Sequence, residues 1–360
     1  MPPPSNKQPA AAGRSAPSPL PPRRGRVAGG ITLLEVARLA GVSAMSVSRA
    51  LNAPEQVSAA ILAKVRAAVE STGYVANRVA GSLASQRSRL VAAVVPSIAG
   101  PVFQEMVQSL IAELAARDHQ LMLGQSGYGT QEEDALLDAI IGRRPDGIVL
   151  GGVVPSAAGR RRLVASGIPV VETWDMVQDP IDMLVGFSHE AIATAVATFL
   201  IERGRRRLGF IGGNHERAAR RAGAFVDSAL RGPARRRAVA VQVETVVAPA
   251  TVRSGRQALG EMLRHQPGTD AIFCSSDVLA LGVVTEAAAR GLRVPQDIAV
   301  VGFGDLDFAA DVSPSLTTVR IDSTRIGQLA ARFIVSRSEG LEVGETKVDV
   351  GFSIVTRESA

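Results

Sequence analysis

The stretch TLLEVARLAGVSAMSVSRALN, residues Thr32–Asn52, decides how the N-terminal part of this chain folds. Its pattern predicts two short helices joined by a tight turn. The first helix carries an apolar stripe at positions i, i+3, i+4 and i+7, formed by Leu33, Val36, Ala37 and Ala40. Gly41 supplies the positive φ that ends this helix, and Ser43 follows as the N-cap of the second. The stretch therefore predicts a helical hairpin.

The second helix of this hairpin has two different faces. At about 100° per residue, Val47 and Leu51 point the same way and are expected to face the protein. The opposite face carries Met45, Ser46, Arg49 and Asn52. That face suits the DNA major groove, because arginine pairs two donors with guanine while hydroxyls and a helix N-terminus reach phosphates. From these features alone, a solvated face on an ordinary helical hairpin remains the alternative.

Three further segments extend the pattern beyond the hairpin: VS at Val57–Ser58, GY at Gly73–Tyr74 and NRVAGSLAS at Asn77–Ser85. Between the first two, an apolar periodicity predicts a third helix. Together these segments resemble the DNA-binding headpiece of the LacI family, and the resemblance extends through the chain after residue 30. It implies an α/β protein: an N-terminal three-helix helix-turn-helix headpiece plus hinge helix, followed by a two-lobed periplasmic-binding-protein-like core of two doubly wound parallel sheets.

The resemblance also implies DNA contacts at individual positions. Arg49, with Ala44 and Met45, is expected to read base edges. Contacts to DNA phosphates, which fix the register of the protein on the duplex, are expected from Thr32, Ser43, Ser46, Ser48 and Asn52. In the family, the hinge helix forms on operator DNA, and paired hinges wedge leucines into the minor groove. Leu83 stands at that wedge position and Asn77 at the start of the hinge, with packing in a linker as the alternative for Leu83.

Charge and composition divide the chain in the same way. The net charge of +6 is concentrated in the first quarter, since residues 1–30 carry +5, residues 31–88 carry +3 and the rest carries −2. The predicted domains are a disordered basic Pro/Ala-rich tail at 1–30, the headpiece at 31–76, a hinge helix and linker at 77–88, and an effector-binding and dimerisation core at 89–360. The basic tail could add contacts to DNA phosphates, and the alternative is that it is an inert extension.

The same composition indicates where the protein works. Cys274 is the only cysteine, so no intrachain disulfide is expected and a reducing cytoplasm fits. No apolar run approaches the roughly 18 residues that span a bilayer, and the N-terminus lacks the apolar region of a signal peptide. A cytoplasmic location is therefore expected, which argues against an exported sugar receptor.

From Arg89 onward, short β-branched runs alternate with amphipathic helices. Strands are predicted at 90–96, 119–124, 146–152, 168–172, 207–213, 239–247, 270–274 and 297–303. Helices are predicted at 101–117, 131–143, 157–166, 190–203, 217–231, 253–265 and 278–290. The two βα sets imply two sheets with a cleft at the carboxyl ends of their strands. The resemblance adds that the chain crosses between the lobes near Phe187 and again near Thr317.

Residues near these strand ends are the candidates for binding an effector: Ser97, Phe103, Tyr128, Trp174, Asp175, Phe187, Arg221, Asp277 and Asp305. An arginine fork suits a carboxylate or phosphate, and carboxylates accept hydrogen bonds from hydroxyls. Arg221 precedes Phe225 by four residues, the spacing of the family's ligand-binding arginine before an aromatic. Its neighbours Arg217 and Arg220 are alternatives for this role.

The segments VVETWD at 170–175, VGFSHEA at 185–191 and NAPEQVS at 52–58, with Met45, resemble the gluconate-utilisation repressors of the family. This resemblance implies gluconate or a related sugar acid as the effector. Another sugar or a purine is the alternative, and a sugar receptor that does not bind DNA is a further one. Two departures, Ser276 in place of the family's usual Asn and Gly304 in place of an Asp, leave the polar contacts open.

An enzyme is not expected. The glycines of FIGGNHE lack the G-x-G-x-x-G spacing, no serine lies in a G-x-S-x-G elbow, and the four histidines lack a metal-ligand spacing. Neither a cofactor nor a metal is predicted. The expected partners are operator DNA, a small sugar acid and a second copy of the chain, because a symmetric dimer reads a pseudo-palindrome. A tetramer is left open, although no heptad run supports a tetramerising coiled coil.

Overall fold

The computed structural model describes residues 31–75, 87–98, 103–154, 156–231 and 238–360. The chain divides into two compact units, residues 1–81 and residues 82–360. The predicted tail, together with Asn77 and Leu83 of the predicted hinge, lies outside the described residues.

The described residues of the first unit, 31–75, form three α-helices: α1 (Leu33–Ala40), α2 (Ala44–Asn52) and α3 (Ala59–Thr72). Gly41 has φ +65° and ends α1, and Ser43 caps α2, as the sequence predicted. Thr32 and Glu35 form a capping box in which each accepts from the other's backbone N–H. The small core consists of Val36, Ala37, Ala40, Val47, Ala50, Val65 and Ala68. The predicted helix-turn-helix hairpin is confirmed.

The first sheet of the second unit has six parallel strands in the order β11-β5-β4-β3-β1-β2. These strands are β1 (Leu90–Val95), β2 (Gln120–Gln125), β3 (Gly147–Leu150), β4 (Val170–Thr173), β5 (Met183–Gly186) and β11 (Lys347–Asp349). Its helices are α4 (Gln104–Ala115), α5 (Thr130–Ile141), α6 (Ala157–Ser166) and α11 (Ser323–Ser338). β1, β3, β4 and β5 are buried almost throughout, which explains their continuous apolar runs.

The second sheet also has six strands, in the order β12-β10-β9-β8-β6-β7. They are β6 (Arg207–Gly213), β7 (Ala240–Val246), β8 (Ala271–Cys274), β9 (Ala299–Phe303), β10 (Thr317–Arg320) and β12 (Ser353–Val355). Its helices are α7 (His189–Glu202), α8 (Glu216–Arg231), α9 (Val252–His265) and α10 (Asp277–Ala289). The sequence predicted a parallel sheet. β12 runs antiparallel to β10, so the sheet differs from that prediction at this edge strand.

The chain passes between the two sheets three times: between β5 and α7, between β10 and α11, and between β11 and β12. The eight predicted strands and seven predicted helices of this unit are present, with ends shifted by a few residues. The short strands β5, β10, β11 and β12 and the helix α11 were not predicted. A strand of three or four residues carries little periodic pattern. β3, β4 and β8 are equally short but were predicted, so length alone does not explain the four missed strands.

A buried carboxylate holds the beginning of the second unit's described chain. Asp146 accepts hydrogen bonds from the backbone N–H of Ser88 at 2.7 Å, from the Ser88 hydroxyl at 2.8 Å and from the N–H of Arg89 at 2.9 Å. The imidazole of His119 lies 3.4 Å from the same carboxylate. Asp146 precedes β3 and residues 88–89 precede β1, so the two parallel strands begin at a shared anchor.

Candidate functional site: the exposed face of α2 and a cavity between the lobes

The outward face of α2 combines an exposed apolar side chain with an exposed cation. Met45 is 65% exposed, although methionine is usually buried. Arg49, one turn further on, is exposed and forms no ion pair with any described residue. Ala44 begins the helix between them and the Ser43 cap. This end of α2 therefore presents unengaged donors and a helix N-terminus to solvent.

The polar residues around this face make local hydrogen bonds. The Ser43 hydroxyl accepts from the Ser46 backbone N–H at 3.1 Å and lies 2.9 Å from the Ser46 hydroxyl. The Asn52 amide donates to the backbone carbonyl of Ser48 at 2.9 Å. Thr32 is engaged with Glu35 in the capping box of α1. These hydrogen bonds stabilise α1 and α2. The hydroxyl oxygens keep lone pairs that can accept further hydrogen bonds.

The second unit contains a cavity between its two lobes, at the carboxyl ends of the strands. The lining comes from the loops after β1, β2, β4, β6, β7 and β8, from the ends of β6 and β9, and from the N-terminal parts of α7, α8 and α10. Its residues are Ser97, Phe103, Tyr128, Trp174, His189, Gly213, His215, Arg217, Arg221, Ala248, Pro249, Ala250, Ser275, Ser276, Val278 and Phe303. Parallel sheets bind ligands at this edge because their connecting loops converge there.

Five of the nine predicted effector residues line the cavity: Ser97, Phe103, Tyr128, Trp174 and Arg221. Sequence reasoning missed His189 and His215 and kept Arg217 only as an alternative to Arg221. The spacing of Arg217 and Arg221 was the available signal, because residues four apart lie on the same face of a helix. Each histidine follows the end of a buried strand, which is where the other candidates were sought.

The other four predicted residues do not line the cavity in the structure. Phe187 is fully buried between Trp174, His189 and Phe303. The three carboxylates have protein partners instead of facing the cavity. Asp175 pairs with Arg220, Asp277 accepts from the Thr318 hydroxyl at 2.5 Å and the Leu306 N–H at 2.8 Å, and Asp305 pairs with Arg320 and Arg357.

Two arginines from one face of α8, the buried Arg221 and the half-buried Arg217, dominate the charge of the cavity. Burial, followed by repulsion from Arg217, lowers the pKa of Arg221 to about 9, and burial also lowers the pKa of Arg217. Both stay protonated at neutral pH. The Arg221 guanidinium lies 4.0 Å above the ring of Phe303, and Nη1 of Arg217 donates to the Gly151 carbonyl at 2.9 Å. Among the described lining residues none is Asp or Glu.

Helix N-termini add to the positive potential. His215 and Gly213 precede α8, Ser275 and Ser276 precede α10, and His189 is the first residue of α7. The N-terminus of a helix carries a partial positive charge and unpaired N–H groups, so it favours an anion. Three such ends at one cavity act in the same direction as the two arginines.

Both cavity histidines are neutral at physiological pH. Burial, with repulsion from Arg217 and Arg221, lowers the pKa of His215 to about 4. Burial and then repulsion from Arg221 hold the pKa of His189 well below its usual value of 6.5. The buried lining therefore obtains its positive charge from the arginines, while the histidines supply neutral nitrogen atoms.

Aromatic rings form much of the remaining wall. Phe103 meets Trp174 edge to face with ring centres 4.9 Å apart, and Tyr128 stacks on His215 at 5.4 Å. The Trp174 indole N–H points to the Met106 sulfur at 3.0 Å. Trp174 has φ +62°, a conformation uncommon for a bulky residue and often found at binding sites. The rings give the anion site apolar walls suited to the C–H faces of a small molecule.

Comparisons with known proteins agree with this geometry. A model of bacterial regulatory proteins of the lacI family matches residues 32–77, and a model of the periplasmic binding protein-like domain matches residues 197–360. The HTH-type transcriptional regulator GntR of Pseudomonas aeruginosa is 36% identical over 342 residues, which cover 93% of this chain and 97% of that protein. The chain belongs to the LacI family of bacterial regulators.

Further relatives extend this family relationship. GntR of Escherichia coli is 31% identical over 323 residues, covering 89% of this chain and 96% of that protein. A solved structure of a LacI-family transcriptional regulator from Silicibacter pomeroyi matches with a TM-score of 0.84 at 31% identity and covers 91% of this chain and 99% of that one. The chain is therefore a DNA-binding transcriptional repressor of the LacI family rather than an enzyme, as the sequence predicted.

Regulators of this family bind operator DNA and small-molecule effectors. The exposed α2 face belongs to the part of the chain that matches the lacI family model, and most of the cavity's second-lobe lining belongs to the part that matches the periplasmic binding protein-like domain. Among the described residues, no helix is both long and apolar enough to cross a lipid bilayer.

Proposed function

We propose that this repressor is released from its operator by a sugar acid, gluconate or a close relative, bound in the cavity between the lobes. The observation that carries this proposal is an arginine pair, the buried Arg221 and the half-buried Arg217, in a cavity whose described lining contains no carboxylate. The resemblance to gluconate-utilisation repressors and the similarity to regulators named GntR support the same class of effector.

Arg221 in particular needs an acceptor. Its side chain is only 4% exposed, and its Nε and Nη1 form no hydrogen bond within the described part of the chain. A buried charged donor without a partner costs more than the 1–3 kcal/mol or so of an unpaired neutral group. A carboxylate matches the guanidinium fork and carries the opposite charge, whereas a neutral sugar or a purine base offers these donors no charged acceptor.

The dimensions of the cavity support a compact ligand. Its volume is about 100 Å³, below the roughly 300–1,000 Å³ of sites for drug-sized molecules. A six-carbon acid is therefore a better match than a disaccharide or a nucleotide. The aromatic wall contacts C–H groups while the α8 arginines hold the carboxylate end.

For DNA binding, we propose a homodimer whose two headpieces read a pseudo-palindromic operator. Arg49, with Ala44 and Met45, contacts base edges. Thr32, Ser43, Ser46, Ser48 and Asn52 are the proposed phosphate contacts, with Asn77 and the minor-groove wedge Leu83 assigned to the hinge by family resemblance. The effector prefers the state with low operator affinity, by a coupling of about 1–3 kcal/mol.

Calorimetric titration tests the proposed effector. The purified protein is titrated with gluconate, 6-phosphogluconate and 2-ketogluconate, with glucose and hypoxanthine as the neutral sugar and the purine. We expect saturable binding of a sugar acid, lost in Arg221→Ala and retained in Arg231→Ala, an exposed arginine of the same helix. Binding of only glucose or hypoxanthine would contradict the sugar-acid proposal but not the family assignment.

A further inference from the structure

We propose that His189 makes the cavity selective for hydroxylated acids, because its Nδ1 accepts a hydrogen bond from a hydroxyl of the effector. This inference rests on the proposed sugar-acid effector and adds a second recognition element to the arginine pair. His189 lines the cavity and is 2% exposed. The sequence prediction did not include it.

The hydrogen bond at the other ring nitrogen sets the tautomer of His189. Nε2 lies 3.1 Å from the backbone carbonyl oxygen of Trp174, which can only accept, so Nε2 carries the proton and donates. Nδ1 of the neutral ring is then an acceptor. Within the described residues Nδ1 is buried and has no hydrogen-bond partner. The imidazole therefore has one unsatisfied lone pair in the lining of a cavity whose charged groups are the arginines.

Packing holds the ring in this orientation. Phe187 meets the His189 ring edge to face with ring centres 5.0 Å apart. The backbone of His189 is held as the first residue of α7, whose N-cap Ser188 accepts from the Ala191 N–H at 3.0 Å. An acceptor fixed in advance loses little side-chain entropy on binding, so its full hydrogen-bond energy contributes to selectivity.

The charge around His189 decides which donor it receives. Arg221, Arg217 and Arg220 all exert positive potential on the ring, which opposes a second cation in the cavity. An ammonium group is therefore disfavoured, although it is a hydrogen-bond donor. A hydroxyl donates without adding charge. The combination of an arginine pair and one neutral acceptor selects a hydroxy acid over both a simple carboxylic acid and an amino acid.

The test combines ligand and protein changes in a cycle. Gluconate and the set of its monodeoxy analogues, each lacking one hydroxyl, are titrated into the wild type, His189→Leu and His189→Asn. In the wild type, one analogue should bind about 10- to 100-fold more weakly than gluconate, because the buried Nδ1 loses its donor. In His189→Leu, gluconate itself should weaken by a similar factor, and that same analogue should lose nothing further.

Two comparisons keep the result specific to the Nδ1 acceptor. His189→Asn places a carbonyl oxygen near the position of Nδ1 and should restore discrimination between gluconate and that analogue. His265→Leu is the matched control, because His265 is an exposed histidine outside the cavity lining, so discrimination should persist there. Unchanged discrimination in His189→Leu overturns the inference and leaves the proposed effector standing. Failure of the wild type to bind any sugar acid overturns both.

Discussion

Arg220 of α8 forms an ion pair with Asp175, which follows β4, so this pair joins the two lobes beside the effector cavity. The Asp175 side chain is almost fully buried, and Arg220 also lies 3.4 Å from Glu190. One turn earlier on α8, Arg217 donates to the Gly151 carbonyl of the first lobe. The helix that supplies the cavity's arginines is therefore the helix that is tied across the cleft.

Removal of this pair should destabilise the second unit. In Arg220→Ala the buried Asp175 carboxylate loses its cation, and we expect a loss of about 2–3 kcal/mol in the free energy of unfolding. This is less than the roughly 3–5 kcal/mol of a fully buried pair because Arg220 is partly exposed. Urea denaturation followed by circular dichroism measures this free energy.

The control is Arg231→Ala, which breaks the exposed Arg231–Asp227 pair and should change the free energy of unfolding by under about 0.5 kcal/mol. Equal losses in Arg220→Ala and Arg231→Ala would contradict the prediction.

Arg49 should carry sequence specificity in DNA binding. Arg49→Ala is expected to cost about 1–3 kcal/mol per half-site on a duplex selected by the wild type from random sequences, and to relax preference at one base pair. Fluorescence anisotropy against the selected and a scrambled duplex measures both effects. Arg66→Ala, an exposed arginine on α3, is the matched control. Equal loss on the two duplexes would show that Arg49 contacts only phosphate.

Two glycines allow α9 and α10 to pack closely. A Cβ on Gly282 would lie 2.9 Å from the Cα of Gly255 and clash with the Val252 carbonyl. Gly282→Ala should therefore destabilise by about 1–3 kcal/mol through forced separation of the helices. Gly223→Ala in α8, where nothing lies within 4 Å of the new Cβ, should stabilise by about 0.4–1 kcal/mol. Thermal denaturation of both variants tests the contrast, and a shift of the same sign in both would refute it.

Asp277 should make stability depend on pH in an unusual direction. Burial raises its pKa to about 6, so between pH 4 and 6 the folded state holds a proton that the unfolded state releases. Stability from this group is therefore lost as the pH rises. Relative to Asp277→Asn, the wild type should lose about 2 kcal/mol between pH 4.5 and pH 7.

Denaturant titrations of both proteins at the two pH values measure this difference. Asp311→Asn, which alters an exposed carboxylate, should change the pH dependence little. Parallel pH profiles for the wild type and Asp277→Asn would mean that the folded-state pKa of Asp277 is not raised.

The sequence predicted the headpiece more completely than the cavity. The caps of α1 and α2 depend on residues within three positions of each other, so Gly41 and Ser43 could be assigned locally. Arg221 was found because the family resemblance supplied its spacing to Phe225. His189 and His215 were missed as cavity residues because nothing in a sequence shows which side chains from separate strands share one space.

The carboxylates predicted as effector contacts show the same limit of prediction from sequence. Asp175, Asp277 and Asp305 follow or lie near strand ends, and the sequence places them correctly along the chain. Whether such a carboxylate faces a ligand depends on cations and hydroxyls that are distant in sequence. Asp175 pairs with Arg220 across 45 positions, and Asp277 accepts from Thr318 across 41. These distant partners are the groups that the carboxylates contact in the structure.

By itself the sequence determined the helix-turn-helix, the alternation that builds two parallel-dominated sheets, and the family, because each rests on short-range pattern or on residue identity in order along the chain. Only the tertiary structure decided that the cavity is cationic, that its histidines are neutral and that its carboxylates are paired elsewhere. Charge state and pairing depend on burial and on contacts between lobes, which come from packing of distant segments and not from local sequence.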